Sequence, residues 1–220
     1  MDWGAIWLSL KLASAATSIL FVAGIPLSYW LATTRWRGRF LVEAVVALPL
    51  VLPPTVLGFY LLVGLGPHGF VGKAWHSLFG ARLPFSFPGI LIGAVLFNLP
   101  FAIRPFTAAF SAMDRQLVEA AWCLGVSRFE TFRRVILPLC WPGILAGVIL
   151  TFAHTIGEFG VVLMLGGNIP SVTRTISTSL YDDVQSLNYV SAGRTAGTLL
   201  GFSFVVLCIT QWLTNRSAAR

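Results

Sequence analysis

Glu119-Ala120-Ala121-Trp122-Cys123-Leu124-Gly125, running on through Ser127 to Leu137-Pro138, belongs to a segment of about two dozen residues, rich in polar and charged side chains, that interrupts a very apolar chain. Asp114, Arg115, Glu119, Arg128, Glu130, Arg133 and Arg134 all fall between two long apolar runs. The local signals read helix, turn, helix. Asp114 can cap a first helix, Gly125 supplies a break, and Ser127 with Glu130 forms S-x-x-E, a capping box for a second helix. Phe129, Phe132 and Ile136 line one side of that second helix at i, i+3, i+7, and Pro138 is expected to end it. The expected element is a bent helical elbow, small residues on one limb and aromatics on the other, suited to being gripped by another protein.

Outward from the elbow, composition sets the class. Apolar residues make up 56% of the 220, and charged residues only 10%. Soluble domains carry roughly 25% charged residues, so a mean hydropathy of +0.81 marks a polytopic membrane protein. A net charge of +7 would suggest nucleic acid for a soluble chain. Here the arginines cluster at the ends of apolar runs, and membrane topology accounts for them better. A helix-turn-helix DNA reader is the rival reading of the elbow; its place between membrane-length segments argues against it. Cys123, Cys140 and Cys208 have neither metal-site nor disulfide-framework spacing. Asp2 is acidic and Lys11 is the first basic residue, so the start of the chain reads as a retained span, not a cleavable signal.

Uncharged runs at 12–31, 44–66, 83–103 and 195–215, and a fifth from 135 to 167 broken only by His154 and Glu158, are long enough to cross a bilayer. They place spans near 10–32, 43–66, 83–105, 136–166 and 194–215, joined by a polar loop at 111–137 and a second loop at 167–193. The spans must be helical, because lipid offers the backbone no hydrogen-bond partner. The expected fold is therefore all-α, with about five transmembrane helices in a single domain and a sixth, shorter helix weakly signalled within 69–80. Arg35, Arg37 and Arg39, the four arginines of the elbow, and Arg216 and Arg220 share one side. Lys73, Arg82 and Arg174 lie on the other. Nine basic residues against three put the elbow in the cytoplasm and the N-terminus outside.

Two spans carry anomalies. Leu48-Pro49-Leu50-Val51-Leu52-Pro53-Pro54 cannot form a straight helix. It is either a packing kink or a bent helix lining a passage or gate. His154 and Glu158, at i, i+4, are expected to share a helix face. A mid-membrane carboxylate costs roughly 2.5–3.5 kcal/mol on insertion scales and should face protein or water. Such a pair could relay protons; an interhelical hydrogen bond is the favoured reading. The loop at 167–193 holds Ile176, Leu180, Tyr181 and Val184 at amphipathic helical spacing. Gly193, Gly197 and Gly201 form a ridge for close helix packing.

No catalytic motif stands out. Gly66 to Ala74 imitates a phosphate-binding loop, but Ala74 replaces the required Ser/Thr and the spacing is wrong. His68, His76 and His154 make no metal-ligand pair. The chain is expected not to be an enzyme, and to carry no metal or cofactor of its own.

Glu119-Ala120-Ala121, Gly125 four residues later and Leu137-Pro138 resemble the EAA loop of ABC importer permeases, with Val135 where that family usually has Ile. Leu48 to Gly58, Gly157-Glu158-Phe159-Gly160, Asn168-Ile169-Pro170 and Thr173-Arg174-Thr175 are similar to the small permeases of the molybdate, tungstate and sulfate branch, molybdate permeases most of all. The resemblance implies a type I importer core whose coupling helix docks on a separate ATPase through Glu119, Ala120, Ala121 and Gly125, with Leu137 and Pro138 fixing the loop to the fourth span. It makes Pro49, Pro53, Pro54, Glu158 and Asn168 candidates for the translocation path or gate. It further implies a homodimer in a bacterial inner membrane, two ATP-binding cassette subunits holding ATP and Mg, and an external oxyanion-binding protein; nucleic acid is not expected. Sulfate, thiosulfate or tungstate are the alternative cargoes. A proton-coupled secondary carrier working through His154 and Glu158 is the rival class.

Overall fold

The computed structural model describes residues 2–218, with side chains to 212; Arg220, counted above with the tail, lies outside them. All regular structure in the described residues is helical: α1 (Trp3–Thr33), α2 (Arg39–Val51), α3 (Pro54–Leu65), α4 (Phe70–Phe79), α5 (Phe87–Ser111), α6 (Arg115–Cys123), α7 (Arg128–Thr131), a π-helical turn (Phe132–Ile136), α8 (Leu137–Gly157), α9 (Gly160–Gly166), α10 (Ile176–Gln185) and α11 (Tyr189–Ala218). Four segments are long and apolar enough to cross a membrane, and α2 with α3 makes a fifth if counted as one bent crossing.

Two apolar clusters mark the two ends of the bundle. At one end Leu12, Leu65, Leu83, Ile90 and Leu165 are buried together, gathering the start of α1, the end of α3, the start of α5 and α9. At the other, Phe106, Phe110, Val118, Ile136 and Cys140 gather the end of α5, the elbow and the start of α8. Val46 of α2 packs on Leu31 and Ile103 near that second end. The α2–α3 pair therefore begins at the elbow end and finishes at the other, as one bent crossing would. It bends by 112° at Leu52-Pro53, because Pro53 and Pro54 withdraw two consecutive amide donors and the residue before each proline is pushed out of the helical region.

Two helix boundaries are corrected. The helix after Ser127 does not end at Pro138. The chain passes through the π turn, where the Leu137 N–H reaches back to the Phe132 carbonyl, and continues as α8 with Pro138 in its first turn. A wide turn just before a proline takes up the missing donor and the ring's bulk without a break. The expected span at 136–166 is interrupted: α8 stops at Gly157, and Glu158 turns to extended backbone (φ −67°, ψ 127°) before α9 starts. The segment within 69–80 is indeed a helix, α4, but at ten residues it is far too short to span.

α5 is the hub. Half of its most apolar stretch is buried, against 17% for α11, which lies at the edge of the bundle. Ser28 of α1 donates to the Ile103 carbonyl of α5 (3.2 Å). Gly193, Gly197 and Gly201 of α11 point away from the rest of the chain, with no atom within 4 Å of a Cβ built on any of them.

Candidate functional site: a capped elbow and two broken helices

The elbow is built by local capping. The Asp114 carboxylate accepts the Gln116 N–H (2.9 Å) and opens α6. α6 ends in a left-handed glycine: Gly125 has φ +79°, its N–H donates to the Trp122 carbonyl (2.9 Å), and the Val126 N–H donates to the Ala121 carbonyl (3.1 Å). These are the two bonds of a Schellman cap, and Gly is the residue that meets its φ without a Cβ penalty. Ser127 Oγ then accepts the Glu130 N–H (3.3 Å). The expected capping box is only half formed, because the Glu130 carboxylate pairs with Arg134 instead (3.2 Å).

Glu119 and Ala120 face outward from the elbow, while Ala121 is buried against the bundle. Leu137 packs into the core cluster beneath and Pro138 is exposed. Below α6, Tyr29 makes edge contacts with Phe110 (5.5 Å between centroids) and Phe132 (5.1 Å). The elbow is thus fastened to α1 and α5 by aromatic packing and runs through the π turn into α8, so it is joined to all three spans.

The second part of the site is the meeting of the two breaks. A Cβ added to Gly160 would lie 2.6 Å from Pro54 Cβ, and one added to Gly58 would lie 2.7 Å from Met164 Cβ. The proline break in α2–α3 thus rests directly on the Glu158–Gly160 break, and only glycine lets the backbones approach this closely. Broken helices at membrane depth occur where protein or a water-lined cavity satisfies the freed backbone. Pro49 is buried inside α2, Pro53 caps α3 and Pro54 is its first residue.

His154 and Glu158 do not form the expected face. The His154 ring bonds Asn98 of α5 (Nδ1 to Oδ1, 3.0 Å) and stacks on Phe101 (3.7 Å). Asn98, fully buried, donates in turn to the Ala94 carbonyl (2.8 Å). Asn98 was legible in the sequence as a polar residue within an apolar span; its pairing with His154 was not. Glu158, also buried, accepts the Val161 N–H through Oε1 (2.8 Å) and so caps α9. The pair separates because α8 ends between them, which removes the i, i+4 relation. If the carboxylate serves as a cap, Glu158→Gln, which retains an acceptor oxygen, keeps most activity. Glu158→Ala should destabilise by about 0.5–2 kcal/mol, read as a lower thermal midpoint in detergent. A Gln variant as inactive as the Ala variant would point back to proton transfer.

Asn168 lies elsewhere. In left-handed backbone (φ 56°), it donates to Asp182 (2.6 Å) and accepts from Arg174 Nε (3.3 Å). Arg174 also bridges to Asp182 (3.0 Å) and approaches Asp2 (4.0 Å). This polar cluster ties the start of α1 to the loop before α10 and to α10 itself. The amide of Asn168 is engaged there instead of at the two breaks. The amphipathic spacing read at 176–184 is α10, and its first N–H donates to Ser9 of α1 (2.8 Å).

A bundle of apolar helices, two of them broken at one level, with a capped polar elbow at one end, has the architecture of a polytopic membrane subunit. The chain belongs to the family described as the binding-protein-dependent transport system inner membrane component, whose model matches residues 24–217. It is 49% identical over 206 residues to the molybdenum transport system permease protein ModB of Azotobacter vinelandii, covering 94% of this chain and 91% of that one. To the protein of the same name from Escherichia coli K12 it is 36% identical, covering 100% and 96%. A probable sulfate transport system permease protein, cysT, of Chlorella vulgaris is 32% identical over 92% of this chain and 76% of its own length. Among solved structures, the MetNI methionine ABC transporter in an inward-facing conformation superposes with a TM-score of 0.72 at 17% identity, covering 97% of this chain and 94% of that one. A bacterial alginate ABC transporter in complex with a pentasaccharide-bound periplasmic protein gives 0.71 at 20% identity, covering 97% and 78%. The fold is that of ABC importer permeases, and the chain is a multi-pass transport subunit.

Proposed function

We propose that this chain is the permease of an ATP-driven importer that carries molybdate into the cytoplasm by alternating access. The observation that carries the cargo is the near-full-length likeness to molybdenum permeases, 49% against 32% for the sulfate relative. The observation that supports the drive is the elbow, whose Glu119-Ala120-Ala121 limb ends in the Gly125 cap and leaves Glu119 and Ala120 open to a partner. In this reading two copies of the chain pair, and two ATPase subunits holding ATP and Mg grip the two elbows. An external binding protein delivers the anion, and no cofactor sits on the permease. In the same reading the elbow end faces the cytoplasm and the N-terminus faces outward, which the excess of basic residues on the elbow side supports.

ATP binding draws the ATPase subunits together and pulls the elbows inward. Through Tyr29, Phe110 and Phe132 that motion tilts α1, α5 and α8. The contact of Pro54 with Gly160 is the element through which Pro49, Pro53 and Glu158 would sense the tilt and open or close the path. A ligand shifts such an equilibrium only by its differential affinity for the two states, so nucleotide must favour the elbows-together state. His154 and Glu158 take separate partners, and this geometry lends no support to a proton-coupled carrier.

The test is uptake of labelled molybdate into vesicles holding this chain with its ATPase, binding protein outside and ATP inside. Uptake that requires internal ATP and is inhibited by tungstate but not by sulfate is expected. Competition mainly by sulfate would reassign the cargo, and uptake indifferent to ATP would overturn the mechanism.

A further inference from the structure

Two openings line up along one face of α1, the first beneath α6 and the second on its seam with α8. At the elbow end a cavity of about 730 Å3 opens beneath α6. Its floor is apolar, formed by Tyr29, Phe110, Val118, Phe132 and Ile136, while Arg35, Arg115 and Arg128 stand at its rim. Glu119 is the one acid there. No described carboxylate lies within ion-pair distance of any of the three arginines. Arg128 stacks over Trp122, 5.8 Å from its centroid. The rim therefore carries three cations against one acid, above a greasy floor at the membrane border.

Farther along the same face of α1, on its seam with α8 toward the middle of the span, is a second opening of about 550 Å3 lined by Phe21, Val22, Trp141, Leu145, Val148 and Phe152. Val22 and Tyr29 are seven residues apart on α1, about 10 Å along the axis. An apolar slot at membrane depth and a cationic mouth at the elbow end thus share one face of α1, with the edge contact of Phe21 and Trp141 (6.3 Å) at the slot's elbow-side end. Trp30 and Trp36, 6.0 Å apart and exposed, stand beside that mouth, as aromatic side chains do at a membrane–water interface.

We infer that this seam binds one anionic phospholipid, with its phosphate among Arg35, Arg115 and Arg128 and an acyl chain along the α1–α8 slot beneath the elbow. Charge complementarity selects the headgroup: a zwitterionic lipid brings its own cation to a rim already in excess of positive charge. Because the floor is shared with α6, the lipid would brace the elbow against the bundle. This site is independent of which oxyanion is carried.

The test uses the complete transporter, permease with ATPase, in nanodiscs of phosphatidylcholine with a minority of phosphatidylglycerol. Native mass spectrometry should find phosphatidylglycerol retained over phosphatidylcholine. The double variant Arg35→Gln, Arg115→Gln should lose about fivefold per arginine, roughly thirtyfold in all. Arg37→Gln, outside the cavity, should retain the lipid. Phosphatidylglycerol with a photoactivatable acyl chain should label the segments around Phe21 and Trp141, and excess glycerol phosphate should not displace it. Equal retention by wild type and double variant overturns the inference. So does displacement by glycerol phosphate, which would make the ligand a soluble phosphate. Absence of retained lipid from the assembled transporter overturns it too, since the ATPase or a second copy would then fill the cavity.

Discussion

Gly125→Asp should abolish coupled uptake while leaving the chain inserted and its spans intact. A Cβ at Gly125 has no atom of this chain within 4 Å, so the permease itself has no steric objection to a side chain there. Two costs remain. The left-handed φ of +79° charges most residues roughly 1–2 kcal/mol, and a carboxylate buried unpaired in a docked interface costs on the order of 2–5 kcal/mol. Gly125→Asn separates them, since Asn tolerates this conformation and carries no charge. The Asn variant is expected to retain most ATP-driven uptake, and the Asp variant to lose it by more than about tenfold, with ATP hydrolysis no longer tied to transport. Wild-type uptake by Gly125→Asp would remove the elbow from the coupling path.

Gly160→Leu should have the next largest effect. The new side chain would begin 2.6 Å from Pro54 Cβ and 3.4 Å from the Thr55 nitrogen. Neither neighbour can swing aside, because one is a proline ring and the other is backbone. Overpacking of this kind costs typically about 1–3 kcal/mol, and it falls where two broken helices lean on each other. Expected are a lower thermal midpoint and uptake reduced by about tenfold or more. Gly157→Ala is the matched control, since nothing lies within 4 Å of its added Cβ. Equal behaviour of the two variants would show that the crossing of α3 and α9 is not a working part.

The elbow was the most legible part of the site, because its signals are local. Asp114, Gly125 and Ser127 act on amides two to four residues away, and spacing alone reveals such contacts. Glu130 was misread for the same reason: a carboxylate at that spacing has two local options, and Arg134 one turn on took it from the Ser127 amide. The proline break of α2–α3 was equally evident, though nothing in its own residues says what it leans on. Glu158 looked like half of a polar pair. Its partner proved to be the Val161 amide, because Gly157 ended the helix that would have aligned it with His154. Asn168 was a candidate for the path or gate by resemblance, and its partners Arg174 and Asp182, in the polar cluster beside α1, could not be read from its spacing.

The sequence by itself determined that this is a helical membrane protein and roughly where its apolar segments lie, and its basic residues set the expectation that the elbow meets the cytoplasm. Each of these follows from the cost of apolar surface in water, of unpaired backbone in lipid and of charge across the bilayer, and all are additive along the chain. Only the tertiary structure decided that Pro54 rests on Gly160, that His154 takes Asn98, and that Arg35, Arg115 and Arg128 converge on one cavity. Those contacts join residues dozens of positions apart, and close packing between helices selects them, which no local spacing encodes.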